Sequence, residues 1–210
     1  MIGHAEDPSA GSWAVVPLEQ LVGSLLGEPE ETHRPVIVAV DGRGGAGKTT
    51  LVQRLLAAVP GSAVVHTDDV AWHLSFFDWA QQMREGVLEP LHQGRPVSYR
   101  PPGWIDKDRP GALEVPAGCP VVWLEGTGSS RAELADLLDA AVWVQAEHQV
   151  MEQRLMERDG PGHCTLHEEW MREENPFMDR DRPWERADVI VAGSTDLPFD
   201  AEREIVVLQG

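Results

Sequence analysis

Residues Val36 to Leu51 read VIVAVDGRGGAGKTTL and combine three patterns. Val36 to Val40 is an apolar, β-branched run, which is typical of a buried strand, and Thr50 to Ala58 is compatible with a helix. Between them, Gly42 to Thr49 matches the pattern G-x-x-x-x-G-K-[ST]. A strand, a glycine-rich loop and a helix in this order are the context in which this pattern binds phosphate. The stretch therefore predicts a loop that wraps around phosphate groups.

The residue types in this loop suit that chemistry. Glycine tolerates the backbone angles and close approach that aim successive N–H groups at phosphate oxygens, and the following helix adds its positive dipole end. Lys48 would reach the β- and γ-phosphates, and Thr49 would place its hydroxyl on Mg²⁺. Arg43 is expected to point to solvent, because the loop acts mainly through its backbone. The expected phosphate-binding residues are Gly42, Gly44, Gly45, Ala46, Gly47, Lys48, Thr49 and Thr50.

The composition narrows the range of partners. The chain of 210 residues carries a formal net charge of −18. This charge argues against general nucleic-acid binding, but not against ATP, because a local cluster of N–H groups, cations and Mg²⁺ can hold phosphates on an acidic protein. The N-terminal residues lack the basic and apolar regions of a signal peptide, and no apolar run approaches membrane-spanning length. We expect a cytoplasmic protein with no nucleic-acid and no membrane partner.

Strand and helix patterns alternate along the chain. Apolar runs after the first strand predict further strands at residues 63–66, 120–124, 141–145 and 188–192, with a sixth at an edge over 204–208. Helix patterns occupy residues 17–26, 130–138, 147–158 and 165–174. The last of these should end at Glu174, before Asn175-Pro176. This alternation predicts an α/β protein with a mostly parallel five-stranded sheet covered on both faces.

The domain organisation follows from the same patterns. Residues 1–34 are expected to form an N-terminal tail with a short helix, and residues 35–210 a single domain. Within that domain, residues 93–120 are rich in glycine and proline and predict an irregular segment. Long irregular segments in compact domains are usually functional or mobile. We therefore expect this segment to serve the substrate side of the site.

Acidic residues follow two of the predicted strands, where ligands of such sheets bind. Asp68 and Asp69 come after the second strand, and Glu125 follows the third. Phosphoryl transfer needs a carboxylate that orients or deprotonates the acceptor hydroxyl, and we favour Asp68 for this role. Asp69 is expected to cap the next helix, although the sequence leaves the choice of base between the two open. Glu125 is expected to serve Mg²⁺ together with Thr49.

Two arginines precede a glycine-rich turn near the end of a predicted helix. Arg154 and Arg158 lie one helical turn apart, before Gly160-Pro161-Gly162. They could form a lid over residues 154–165 that neutralises charge developing on the phosphates. Alternatively, they complement the dipole of their own helix. We favour the lid role for Arg158.

Two other groups have simpler explanations. His163, Cys164, His167 and Glu168 resemble metal ligands, but a capping box already explains Thr165 and Glu168, so no zinc site is expected. The aromatic residues from Trp72 to Trp79 are typical of a core. Their position directly after Asp68 also allows a ligand platform.

Together these segments resemble the uridine kinase-like branch of the P-loop kinases, which also includes phosphoribulokinase, pantothenate kinase and nicotinamide riboside kinase. The resemblance rests on VDGRGGAGKTT, HTDD, PVSYRPPGWIDKDR, VVWLEG and QRLMERDG, and it covers most of residues 36–195. It implies a three-layer α/β/α P-loop NTPase fold. It also implies transfer of the ATP γ-phosphate to a hydroxyl of a small molecule.

The resemblance further implies roles for individual residues. Asp68 would be the base, Glu125 would serve magnesium, and Arg158 would be the lid arginine. The acceptor would be contacted from the middle segment, by Tyr99 and Arg109, with Trp104 between them. The residues that hold a pyrimidine ring in uridine kinases have no counterparts here, so the acceptor stays open.

The sequence thus predicts an ATP- and Mg²⁺-dependent kinase of a small hydroxyl-bearing metabolite, with nucleosides as one class of acceptor. Two rivals stay open, as does the oligomeric state. In a nucleoside monophosphate kinase the acceptor is itself a phosphate, which Arg84, Arg95, Arg100 and Arg109 could bind. In a nucleotide-binding regulatory protein no small-molecule product forms. A GTPase of that kind would normally carry an N-K-x-D element, which this sequence lacks.

Overall fold

A computed structural model of the protein describes residues 11–27, 33–160 and 164–209, without the side chains of residues 164–166. In chain order its strands are β1 (Ser12–Pro17), β2 (Val36–Asp41), β3 (Ala63–His66), β4 (Val97–Tyr99), β5 (Leu113–Val115), β6 (Val121–Glu125), β7 (Ala140–Gln145), β8 (Val189–Ala192) and β9 (Glu204–Gln209). Its helices are α1 (Leu18–Leu26), α2 (Lys48–Ala58), α3 (Thr67–Ala71), α4 (Ala80–Met83), α5 (Glu89–His92), α6 (Pro102–Asp106), α7 (His148–Asp159) and α8 (Cys164–Asp181). A π-helical turn, Arg84–Leu88, joins α4 to α5. Among the described residues, no helix combines the length and apolarity needed to cross a bilayer.

The central sheet contains seven of the described strands, in the order β1-β9-β8-β7-β2-β6-β3. The five strands from β8 to β3 pair in parallel, so the mostly parallel sheet predicted from the sequence is confirmed. Two antiparallel strands extend it, since β9 pairs with β8 and β1 pairs with β9. The predicted sixth strand is β9, but it does not lie at an edge, because β1 covers it.

The N-terminal part of the chain contributes to this sheet. All six residues of β1 have a partner in β9, and Leu18, Leu21 and Leu25 of α1 are buried. The sequence pattern missed β1, because the run SWAVVP is short and ends in a proline that is rare inside sheets. The boundary at residue 34 stays a prediction.

Helices cover both faces of the sheet, because successive side chains of a strand point to opposite faces. On one face, Val38 and Val40 of β2 belong to the same buried cluster as Leu55 of α2. On the other face, Ile37 belongs to a second cluster with Leu88 of the π-helical turn. This arrangement gives the three layers that the resemblance implies.

Two predicted helices differ in the structure. The helix expected to end at Glu174 continues as α8 through Pro176. The proline removes one backbone donor, but Phe177 and Met178 beyond it are buried, and this burial favours a longer helix. The helix predicted at 130–138 is wrong, since only a 3₁₀ turn forms at Ala135–Leu137. Its expected first residue, Ser130, instead donates its N–H and hydroxyl to Asp41.

The segment predicted to be irregular, residues 93–120, contains three short elements. β4 and β5 pair antiparallel and form a small sheet of their own, and α6 lies between them in the chain. Bends and turns connect these elements. The segment therefore folds locally without joining the central sheet.

Candidate active site

The predicted phosphate loop, Gly42 to Thr49, connects β2 to α2. Gly45 and Gly47 have positive φ angles of 77° and 105°, which glycine adopts without steric penalty. At Gly45 a Cβ atom would also lie 2.6 Å from the carbonyl oxygen of Met151 on α7. Glycine is therefore needed at this position for the backbone angle and for the close packing of α7.

Lys48, the first residue of α2, is buried and lies against the phosphate loop. Its Nζ donates to the carbonyl oxygens of Gly42 and Arg43, both at 3.0 Å, and to Thr127 Oγ1 at 3.2 Å. An ammonium group has three protons, so these three acceptors hold it in one orientation. Its positive charge thus lies at the loop, where the sequence predicts the β- and γ-phosphates.

Glu125, the last residue of β6, lies beside Thr49 and is paired in the sheet with His66 of β3. Thr49 Oγ1 donates to Glu125 Oε1 at 3.4 Å, and His66 Nδ1 lies 2.5 Å from Oε2. Burial alone would raise the pKa of Glu125, but the hydrogen bond with His66 and the charge of Lys48 outweigh it and lower the pKa. The same hydrogen bond raises the pKa of His66. A hydroxyl beside an ionised carboxylate oxygen fits Mg²⁺, which prefers oxygen ligands.

Asp68 lies in the first turn of α3, directly after β3. Its side chain is exposed, so a bound molecule can reach it. The surrounding protein nevertheless raises the pKa of Asp68 by desolvation. The charge of Glu125 adds to the rise, whereas those of Lys48 and Arg158 oppose it. An accessible carboxylate with a raised pKa suits a proton acceptor.

Asp69 is not the helix cap that the sequence predicts. In the described structure α3 already begins at Thr67, so Asp69 lies inside the helix and not at its N-cap. Its Oδ1 accepts a hydrogen bond from Arg109 Nη2 at 2.9 Å, and its carbonyl oxygen accepts one from Trp104 Nε1 at 2.8 Å. The Arg109 guanidinium also lies 3.7 Å from the ring centre of Trp104 and 5.0 Å from that of Trp72. Asp69 therefore joins α3 to the segment predicted to contact the acceptor.

Of the three predicted acceptor residues, Trp104 and Arg109 thus lie together, whereas Tyr99 has different neighbours. The ring of Tyr99 packs on Gly86 in the π-helical turn, where a Cβ atom would lie 2.5 Å from it. Burial raises the pKa of the Tyr99 hydroxyl, and the charge of Glu85 adds to this. The contact of Tyr99 with an acceptor stays a prediction.

The two predicted lid arginines lie on α7 and have different surroundings. Arg154 reaches the phosphate loop, where its Nη1 donates to the carbonyl oxygens of Gly45 at 3.2 Å and Ala46 at 3.4 Å. Its Nη2 donates to the carbonyl oxygen of Gly193, after β8, at 2.9 Å. Arg158 is exposed and pairs with Asp159 at 2.7 Å. Its pKa is raised mainly by that hydrogen bond, and the charge of Asp68 also contributes. Arg158 is therefore in electrostatic reach of the predicted base and accessible from solvent.

Part of the predicted lid lies outside the described residues. This part includes His163, and the side chain of Cys164 is not described either, so the metal-like group in this region stays untested. Within the described ranges, no cluster of three or more His, Cys, Asp or Glu side chains could hold a metal ion.

Sequence reasoning missed Asp41, which ends β2 and is fully buried. Its Oδ1 accepts hydrogen bonds from the N–H groups of Gly42 at 2.7 Å and Gly128 at 2.8 Å. Its Oδ2 accepts bonds from the N–H and hydroxyl of Ser130, both at 2.8 Å. Burial raises the pKa of Asp41, and these four hydrogen bonds oppose the rise. Asp41 therefore links the start of the phosphate loop to the loop that carries Thr127. The only sequence signal was an acid placed directly before the glycine motif.

The prediction that Arg43 faces solvent is wrong. Its side chain is buried, and Nη1 lies 3.1 Å from Asn175 Oδ1 and 3.5 Å from Glu174 Oε2 on α8. Glu174 also accepts a hydrogen bond from the N–H of Gly44. These partners are about 130 positions away in the chain, so no local pattern could have revealed them.

The solved structures similar to this chain include two that are described as kinases. One is described as a fructose transport system kinase from Silicibacter sp. TM1040; it is 21% identical, with a TM-score of 0.56 over 80% of this chain and 92% of that chain. The other is described as a possible uridine kinase from Bacillus stearothermophilus; it is 18% identical, with a TM-score of 0.52 over 82% of this chain and 95% of that chain. No protein-family model and no curated protein matches the sequence. At this level of identity the likeness concerns the fold, and the chain shares the three-layer α/β P-loop NTPase fold with these two proteins.

Proposed function

We propose that this chain is an ATP- and Mg²⁺-dependent phosphotransferase that moves the γ-phosphate of ATP to a hydroxyl of a small metabolite. The observation that carries the proposal is the position of Asp68. This accessible carboxylate follows β3 and lies within electrostatic reach of Lys48 and Glu125. In this role Asp68 would accept the proton of an alcohol beside a loop that holds the phosphates, which is the combination that phosphoryl transfer needs. The fold shared with two proteins described as kinases agrees with this function.

In the proposed reaction the acceptor oxygen bonds to the γ-phosphorus, and the bond between that phosphorus and the bridging oxygen of ADP breaks. The proton of the acceptor hydroxyl passes to Asp68, whose raised pKa favours taking it up. Lys48 would neutralise charge on the phosphates from its position against the loop. Arg158, on the solvent side of the same region, would close over the transferred group.

Thr49 and Glu125 would hold the Mg²⁺ ion. When bound, this ion would neutralise negative charge on the phosphate oxygens. Because His66 engages Oε2 of Glu125, the oxygen that faces Thr49 is Oε1. The His66 contact therefore fixes the orientation of the carboxylate, and Oε1 is the oxygen that we assign to the metal.

The contacts of four arginines support a hydroxyl acceptor over a phosphate acceptor. A nucleoside monophosphate kinase would need these cations to converge on the acceptor. In the described structure each has another partner: Arg84 pairs with Asp136, Arg95 with Gln93, Arg100 with the carbonyl oxygen of Arg109, and Arg109 with Asp69. The charge of Arg109 is therefore already balanced by Asp69.

The test is a screen for ATP consumption. Purified protein is incubated with ATP, Mg²⁺ and a panel of nucleosides, sugars and vitamin precursors, and ADP release is measured together with the mass of the phosphorylated product. We expect at least one hydroxyl-bearing compound to accelerate ADP release and to gain one phosphate. Lys48→Ala should abolish this turnover, whereas Arg203→Ala, which removes an exposed charge before β9, should preserve it.

Two outcomes would replace the proposal with a rival. Stimulation by nucleoside monophosphates alone would identify a phosphate acceptor. Slow ATP hydrolysis that no compound accelerates would favour a regulatory nucleotide-binding protein.

A further inference from the structure

Glu174 of α8 is a buried carboxylate bound to the phosphate loop. Its side chain is 1% exposed, and its Oε1 accepts a hydrogen bond from the backbone N–H of Gly44 at 3.0 Å. Gly44 lies in the middle of the loop, between Arg43 and Gly45. A side chain from a distant helix therefore occupies one of the loop's own N–H donors, and Gly44 contributes to the shape of the loop through this bond.

The charge of Glu174 is balanced within the same contact. Its Oε2 lies 3.5 Å from Nη1 of the buried Arg43, and the same nitrogen lies 3.1 Å from Oδ1 of Asn175. Burying a carboxylate is tolerated only when it is paired and hydrogen-bonded. Both conditions are met here, so the contact is a built feature of the loop. The same contact keeps the Arg43 side chain against α8.

The loop is held from α7 as well. Arg154 donates to the carbonyl oxygens of Gly45 and Ala46, and the nearest atoms to a Cβ built at Gly44 would belong to Leu155 of α7 and Trp170 of α8, at 3.7 Å. Glycine-rich segments have many accessible backbone states. The bonds to the N–H of Gly44 and to the carbonyl oxygens of Gly45 and Ala46 reduce the number of backbone states before a ligand binds.

From these contacts we propose that Glu174 is a positioning residue for nucleotide binding, one that keeps the phosphate loop in its binding-competent conformation through the N–H of Gly44. This inference rests on the proposed function, because it assumes that the loop binds a nucleotide. Glu174 acts through the loop and need not touch the substrate.

The consequence for nucleotide affinity follows from the fraction of molecules whose loop is in the binding-competent conformation. When only a fraction of the molecules is binding-competent, the apparent Kd rises in inverse proportion to that fraction. Without the carboxylate, the Gly44 N–H loses its acceptor and Arg43 loses its anionic partner. If the competent fraction falls to about one tenth, the Kd for the nucleotide rises about tenfold.

Calorimetry with a non-hydrolysable ATP analogue and Mg²⁺ tests this inference. Glu174→Ala should raise the Kd about tenfold. Glu174→Gln keeps an oxygen acceptor for the Gly44 N–H but removes the anionic partner of Arg43, so its Kd should lie between those of the wild type and Glu174→Ala. Glu174→Asp keeps the charge but withdraws the oxygen by one methylene, so it should weaken binding. If the alanine variant does not fold, the Kd of the aspartate variant tests the inference in its place.

Two controls separate positioning from a general loss of stability. Glu173→Ala removes the same charge from the exposed neighbour on α8 and should leave the Kd unchanged. Met178→Ala empties a fully buried site of α8 and should lower the melting temperature without altering the Kd.

Each remaining result has one meaning. A wild-type protein that binds no nucleotide would refute the proposed function itself. Wild-type binding that survives in both Glu174→Ala and Glu174→Asp would overturn the positioning role, and so would a Met178→Ala variant that loses as much affinity as Glu174→Ala.

Discussion

Replacing Asp41 by asparagine should destabilise the protein by about 2–3 kcal/mol, because this buried carboxylate satisfies four donors. Oδ1 accepts bonds from the N–H groups of Gly42 and Gly128, and Oδ2 accepts bonds from the N–H and hydroxyl of Ser130. Asparagine has nearly the same shape, so the substitution leaves no cavity. It removes the charge and replaces one acceptor oxygen with an NH₂ donor.

The magnitude follows from the fate of each bond. If the amide oxygen takes the place of Oδ1, Gly42 and Gly128 keep their bonds. Each is weakened by about 1 kcal/mol, because hydrogen bonds to charged groups are stronger than neutral ones. The Ser130 N–H then faces the amide NH₂ group and stays unsatisfied, which costs about 1–3 kcal/mol. Burial opposes ionisation of Asp41, so a neutral side chain recovers part of this loss.

The assay is urea unfolding followed by the fluorescence of the 8 tryptophans. For a chain of this size the expected loss corresponds to roughly 5–10 °C in melting temperature. Asp136→Asn is the matched control: it makes the same chemical change at an exposed ion pair with Arg84 and should stay within about 0.5 kcal/mol of the wild type. An Asp41→Asn variant that unfolds at the wild-type urea concentration would refute the reasoning that this network stabilises the fold.

Three further predictions concern the site and the opposite end of the sheet. Asp68→Asn should lower the rate of phosphoryl transfer by roughly 10²–10⁴-fold while ATP still binds, because only the proton acceptor is lost. Arg109→Lys should raise the KM for the acceptor by about tenfold with a smaller effect on kcat, because lysine can neither stack on Trp104 as a plane nor form the same fork of donors. Asp139→Asn should cost about 1–2 kcal/mol at pH 7 and less in acid. Burial alone would raise the pKa of Asp139, but the hydrogen bonds from Arg34 and Ile37 lower it below its ordinary value of 3.8. The stabilisation is therefore fully present above that value and is lost as the pH falls through the lowered pKa.

Two of these predictions have a control variant, and the third is checked by its pH dependence. Asp78→Asn changes an exposed carboxylate further along the chain and should leave the rate unchanged; a rate for Asp68→Asn equal to that of this control would remove Asp68 from the mechanism. Arg95→Lys should leave the acceptor KM unaltered, and an equal KM for Arg109→Lys would argue against an acceptor contact at Arg109. For Asp139→Asn the readout is the free energy of unfolding from pH 3 to 8. A stability difference that grows in acid would contradict the assigned direction of the pKa.

The candidate site could be located from the sequence where its residues follow one another in the chain, while the roles of those residues stay predictions. The phosphate loop is such a case, because Gly42 to Thr49 lie within one turn between a strand and a helix. Asp68 and Glu125 could be predicted by a rule of topology, since the ends of parallel strands meet at one edge of the sheet. The rule locates residues but not the direction of their side chains, and this is why Asp69 was expected as a cap although it binds Arg109.

The sequence by itself determined the strands β2, β3, β6, β7, β8 and β9, the glycine-rich loop and the positions of the carboxylates after β3 and β6, because hydrophobic periodicity and glycine spacing act over short distances. Only the tertiary structure decided which side chains hold that loop in place. Asp41 binds residues almost 90 positions ahead, and Glu174 and Arg43 meet across a separation of 131. A buried charge is stable only beside its partner, and the chain supplies that partner from whichever element the completed fold brings next to it.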